Sequence, residues 1–159
     1  MNDVKGVVLV LAITTVGLAA GLFAAFAYSV MPGLDRSNPA AAVQVMQRIN
    51  VAILNPVFAV VFAGGLVFAG LVVVLWWGTG LRWWAVAALA LYIVGMLVTF
   101  ACNVPLNNRL DAAGDVTVAD AARIWSDFTV PWVRWNIVRG VAQIGAVMAL
   151  AGGLVQQLR

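Results

Sequence analysis

Trp132, Trp135, Asn136, Arg139 and Gln143 are the residues of this sequence whose types and spacing could do chemistry together. Their offsets of 0, 3, 4, 7 and 11 put them on one face of a helix. They open the last long apolar segment, so that face enters lipid. With entry near Trp132, Arg139 lies about 10 Å deep at a rise of about 1.5 Å per residue. A cation there costs roughly 2.5–3.5 kcal/mol on insertion scales unless it snorkels or faces a polar interior. Two interiors would offset that cost. In one, Arg139 pairs with an aspartate or caps backbone carbonyls; in the other, guanidinium and amides line a ligand pocket.

More polar residues gather with them. Thr99, Asn103 and Asn107 align at i, i+4 and i+8 if their helix continues, and Pro105 shapes how it ends. Gln47 and Asn50 share a helical face with Leu54, and Asn55 precedes Pro56, where it either satisfies a broken helix or points into a cavity. Tyr28 closes the first apolar segment and reads equally as an interfacial anchor. With four membrane crossings, Tyr28, Asn50, Asn55, Asn103, Asn107, Trp132, Asn136 and Arg139 fall at one end. Asp3, Lys5, Arg82 and Gln156 fall at the other. This asymmetry predicts a polar, aromatic-lined pocket near one membrane face, reached by a largely apolar ligand from lipid.

Composition excludes much. Of 159 residues 64% are hydrophobic and 9% charged, against about 25% charged in soluble domains, and mean hydropathy is +1.02. Histidine and glutamate are absent, and Cys102 is the one cysteine. No disulfide can form within the chain, and ligation of haem, zinc, copper or an iron–sulfur cluster is not expected. The charge of +3 is not concentrated in any basic-aromatic run, which argues against nucleic acid. The apolar run from Val7 to Met31 is too long for the core of a cleaved signal and reads as a retained span.

The apolar segments that carry these residues predict an all-α, integral membrane four-helix bundle in one domain, with spans at about 5–31, 54–77, 83–104 and 131–155. Met31-Pro32-Gly33 is expected to stop the first. Asn38 before Pro39 looks like an N-cap, and residues 40–54 should rise through the headgroups to a kink at Asn55-Pro56. The tryptophan-flanked turn from Trp76 to Trp84 marks an interface. Thr117-Val118-Ala119-Asp120 resembles a capping box, and the stripe Val118, Ala121, Ala122, Trp125, Phe128 predicts a short interfacial helix between the third and fourth spans.

Asn103-x-Pro105-x-Asn107 followed by Trp132-x-x-Trp135-Asn136-x-x-Arg139 resembles the anthrone-oxygenase-like family of small four-helix membrane proteins. The resemblance covers most of the chain, Asn55-Pro56 included. It implies oxidation of an anthrone to an anthraquinone by O₂ without metal or flavin, with Asn103, Asn107, Trp135, Asn136 and Arg139 as site residues. On that reading Arg139, with Asn103 and Asn136 as donors, would stabilise an aryl oxyanion. Trp132 and Trp135 would stack on a flat polycyclic ring, with Asn107, Asn55, Asn50 and Tyr28 as further substrate contacts. Asp111 and Asp127 are the nearby carboxylates for a general base; the alternative is that Arg139 alone favours the enolate. The expected partners are the lipid bilayer, a hydrophobic aromatic small molecule and, as an open alternative, a second copy of the chain; the expected location is a bacterial cell membrane. The rival function is a non-enzymatic membrane protein that binds a lipid, quinone or aromatic ligand, or a small subunit of a larger assembly.

Overall fold

The computed structural model describes residues 3–157. Four helices are long and apolar enough to cross a membrane: α1 (Asp3–Asp35), α3 (Pro56–Leu75), α4 (Arg82–Ala112) and α5 (Val118–Gln157). A shorter α2 (Pro39–Ala52) lies between the first two. Helix α1 packs on α3 and α5, and α4 closes the ring between α3 and α5. Helix α2 lies across α5 and the end of α4. This is the all-α four-helix membrane bundle that hydropathy predicts.

Two asparagines cap helices, Asn38 as expected and Asn55 in the first of its two readings. Asn38 Oδ1 accepts from the Ala40 and Ala41 N–H groups at 3.0 and 3.4 Å, starting α2. Asn55 Oδ1 accepts from Phe58 N–H at 3.0 Å, while its Nδ2 donates to the Ala52 carbonyl at 2.9 Å. Asn55 therefore joins the end of α2 to the start of α3 and satisfies the groups that Pro56 frees. The Thr117 hydroxyl likewise caps α5, accepting from Asp120 N–H at 3.2 Å and donating to the Asp120 carboxylate at 2.9 Å.

Three expected boundaries move, each at a proline. Helix α1 does not stop at Met31-Pro32-Gly33 but runs to Asp35 through a π turn at Phe26–Val30. Helix α4 runs past Asn103 to Ala112 through a second π turn, Thr99–Asn103, just ahead of Val104-Pro105. A π turn takes in one extra residue and shifts the bonding to i→i+5, which lets a proline that cannot donate sit in the next turn. The third is Pro131: the segment before it is helical but is no separate interfacial helix, being continuous with the last span. Trp125, Phe128, Trp132, Asn136, Arg139 and Gln143 are all buried along one stripe. A break at Pro131 would carry the first two off it, so packing holds the helix through the missing bond.

The buried interior comes in two apolar clusters. One, around Leu9, Val16, Val72, Leu81, Tyr92 and Leu150, lies toward the Trp76–Trp84 turn. There Trp76 is buried, while Trp77, Trp83 and Trp84 are exposed. The other joins Phe26, Met31, Met46, Leu110, Trp125, Phe128 and Trp132. Thr99, Asn103, Asn136, Arg139 and Gln143, all buried, belong to neither cluster.

Candidate functional site

Arg139 is 7% exposed, and its polar partners are uncharged. Nε and Nη2 donate to Asn136 Oδ1 at 3.2 and 2.9 Å, and Nη1 donates to the Thr99 hydroxyl at 3.3 Å. Its guanidinium carbon stands 4.1 Å from the centre of the Phe23 ring and 5.3 Å from that of Trp132. Such contacts with desolvated rings contribute about 2 kcal/mol each. Among the described residues both ion pairs belong to Arg123, with Asp120 and Asp127. Among the described residues the buried positive charge thus has no counter-charge, and the second hydrogens on Nη1 and Nη2 have no acceptor.

Arg139 faces a cavity of about 190 Å³. The π turns of α1 and α4 both contribute to its wall, through Phe26 and through Thr99 and Phe100. Phe23, Phe58, Phe62 and Trp132 make the rest of the aromatic lining. It sits where α2 gives way to α3, and Ile53 and Leu54 from that break line it too. On the apolar side its edge includes Leu54 and Phe100, both well exposed. On the polar side it reaches Asn50, Asn107, Asn108 and Asp111.

The sequence model of the Anthrone oxygenase family matches residues 44–149, well over half of the chain. The chain belongs to this family. Searches of curated proteins and of solved structures each found no match. The matched span takes in most of α2, all of α3 and α4, and the part of α5 that carries Arg139, so most of the cavity wall lies inside the anthrone oxygenase match.

Within this member of the anthrone oxygenase family the residues singled out from sequence divide into three groups. Arg139, Trp132, Asn107 and Asn50 line the cavity. Trp132 Nε1 donates to Asn107 Oδ1 at 2.7 Å, which fixes the indole beside the guanidinium. Asn136 and Asn103 are fully buried behind the wall. Asn136 Nδ2 donates to the Phe23 carbonyl at 2.9 Å, and Asn103 Nδ2 to the Trp132 carbonyl at 3.1 Å. Trp135, Tyr28 and Asn55 stand outside. Trp135 is 41% and Tyr28 75% exposed, and Asn55 is an exposed cap. Trp135 follows Trp132 by three residues, about 300° of helical turn, so it lies beside the buried stripe and not on it.

Two residues that sequence reasoning left off the site, Thr99 and Phe23, stand against the guanidinium, and of the two candidate carboxylates one lines the cavity. Thr99 holds the guanidinium, and its spacing with Asn103 and Asn107 was the signal that could have found it. Asp111 is the carboxylate in the wall, accepting from Asn50 Nδ2 at 3.1 Å on Oδ1, whereas Asp127 is exposed and paired with Arg123 at 3.8 Å. Phe23, under the guanidinium, had no signal at all, being one apolar residue among many in α1.

Proposed function

We propose that the protein is a membrane-embedded oxygenase that oxidises a flat, anthrone-like aromatic ketone with O₂ and needs no cofactor. The observation that carries this reading is the unpaired Arg139 guanidinium in an aromatic-walled cavity. A ring ketone with an acidic methylene opposite its carbonyl ionises to an electron-rich aryl oxyanion. Arg139, with two free N–H groups, supplies the charge and the donors that this oxyanion requires. The anion is itself the reductant for O₂. Methylene plus O₂ gives the new carbonyl plus water, with both hydrogens leaving in the water and no outside electron source.

In this reading Asn136 and Asn103 are positioning residues, since neither lines the cavity and each amide nitrogen donates to a backbone carbonyl behind its wall. Asn136 aims the guanidinium, and Asn103 and Asn107 hold Trp132. The ring lies among Trp132, Phe23 and Phe62. Apolar substrate enters from lipid past Leu54 and Phe100.

The test is oxygen uptake by the purified protein, treated with chelator, in lipid nanodiscs with an anthrone. One O₂ should disappear for each quinone formed. Arg139→Gln, which removes the charge and keeps an amide, should abolish turnover while circular dichroism still shows the helices. Full activity in that variant, or none in the native protein, overturns the proposal. Binding of the anthrone without turnover favours the non-enzymatic ligand-binding alternative.

A further inference from the structure

Ionising the substrate requires a proton to leave a cavity that is largely apolar, and to return when reduced oxygen departs as water. One side chain is placed for that traffic. On the outer face of α2 and the end of α4 lies an open groove of about 670 Å³, whose polar lining includes Gln44, Gln47, Arg48 and Asp115. Asp111 is the residue common to the wall of this groove and the wall of the cavity that holds Arg139. It is also the carboxylate of that cavity, and among the described residues no cation pairs with it.

The carboxylate is held from α2. Asn50, itself buried, donates to Asp111 Oδ1 at 3.1 Å. One turn earlier Gln47 Nε2 donates to the Leu110 and Gly114 carbonyls at 2.9 and 3.0 Å, tying α2 to the end of α4 on both sides of Asp111. Oδ1 is thus oriented, and among the described residues Oδ2 has no donor. The charged groups around it are Arg48 and Asp115 in the groove and Arg139 on the far wall of the cavity.

We propose that Asp111, oriented by Asn50, is the general base of the reaction and its proton link to water; this rests on the oxygenase reading above. The substrate carbonyl lies at Arg139 and its methylene edge points toward Asp111, about three helical turns from Thr99 along α4. The carboxylate takes the methylene proton through intervening water, and the C–H electron pair moves through the ring onto the carbonyl oxygen. The proton on Asp111 exchanges with water in the groove. A proton returns by the same route when O₂ has accepted its electrons and one oxygen leaves as water.

Anaerobic exchange separates this step from oxidation. With O₂ removed, native protein in D₂O should speed deuterium entry into the methylene of bound anthrone above the protein-free rate, read by NMR. Asp111→Asn, which preserves the shape and the contact to Asn50, should lower that exchange about 100-fold or more, the usual scale for a lost general base. Its affinity for anthraquinone product should stay within about threefold. Formate should restore part of the exchange in Asp111→Asn and none in Arg139→Gln, because the groove is open to a small acid. Asn50→Ala, which keeps the carboxylate and loses its holder, should give an intermediate loss. Native-like exchange in Asp111→Asn overturns the proposal, as does a loss that formate leaves untouched, or no exchange by native protein. Exchange without subsequent O₂ uptake upholds the role of Asp111 and sinks the oxygenase reading instead.

Discussion

Replacing Asn136 by Asp is the sharpest probe of an uncompensated cation. Asn136 Oδ1 already accepts from Nε and Nη2 of Arg139 at 3.2 and 2.9 Å, so the new carboxylate oxygen meets the guanidinium with no rearrangement. The donation from Nδ2 to the Phe23 carbonyl is lost and a carboxylate oxygen is set against that carbonyl, at about 1–3 kcal/mol. The new buried ion pair offsets that loss, so the melting temperature in detergent should change by only a few degrees. Ligand binding should change far more. A bound oxyanion about 5 Å from the new carboxylate meets a repulsion of about 3 kcal/mol at an effective dielectric of about 20. That is about two orders of magnitude in affinity. Isothermal titration with a phenolic anthraquinone, in its ionised form, and with its neutral analogue lacking the hydroxyl separates the effects. The ionised ligand should weaken about 100-fold and the neutral one by less than about threefold. Equal weakening of both would mean that the variant damages shape. Unchanged binding of the anion would refute the idea that Arg139 receives it.

Further outcomes follow from the packing. A methyl at Gly65 would overlap the Tyr92 ring and one at Gly95 the Gln143 amide; Gly65→Ala and Gly95→Ala should each destabilise by about 1–3 kcal/mol, and unchanged thermal unfolding would contradict this. Trp132→Phe removes the bond to Asn107 and part of the ring over Arg139, so anthraquinone affinity should drop about tenfold, worth about 1.4 kcal/mol. Trp135→Phe, on the outer face, should stay within about twofold by the same titration; matching effects would argue against a cavity-centred site. Asn55→Ala should lower stability by about 1 kcal/mol through the lost cap and leave the exposed far-end variant Trp83→Leu as the milder change; a melting curve for each checks the order.

Much of this architecture can be read residue by residue because it is local. The caps at Asn38 and Asn55 act on the two or three residues that follow them. The buried stripe through Trp132, Asn136, Arg139 and Gln143 follows from the helical period alone. The proline boundaries do not follow. Pro32, Pro105 and Pro131 each remove a donor, but whether the helix ends there depends on what its far side packs against. Met31, Leu110, Trp125 and Phe128 meet in one cluster contributed by α1, α4 and α5, and that shared burial carries all three helices onward. The rotation that buries Trp132 and exposes Trp135 has the same origin.

What the order of residues determines by itself is a bilayer-crossing bundle, its caps, and a polar face carrying an arginine. Only the tertiary structure decides which of those polar groups satisfy one another and which face empty space. Asn136 finds its acceptor at Phe23, 113 positions away, and Arg139 its hydroxyl at Thr99, 40 positions away. The cavity forms where the chain turns from α2 into α3 and the five helices around it fail to fill the gap. A void belongs to no residue. It exists only as the volume that neighbours from distant parts of the chain leave between them, and so does the solitude of the charge that faces it.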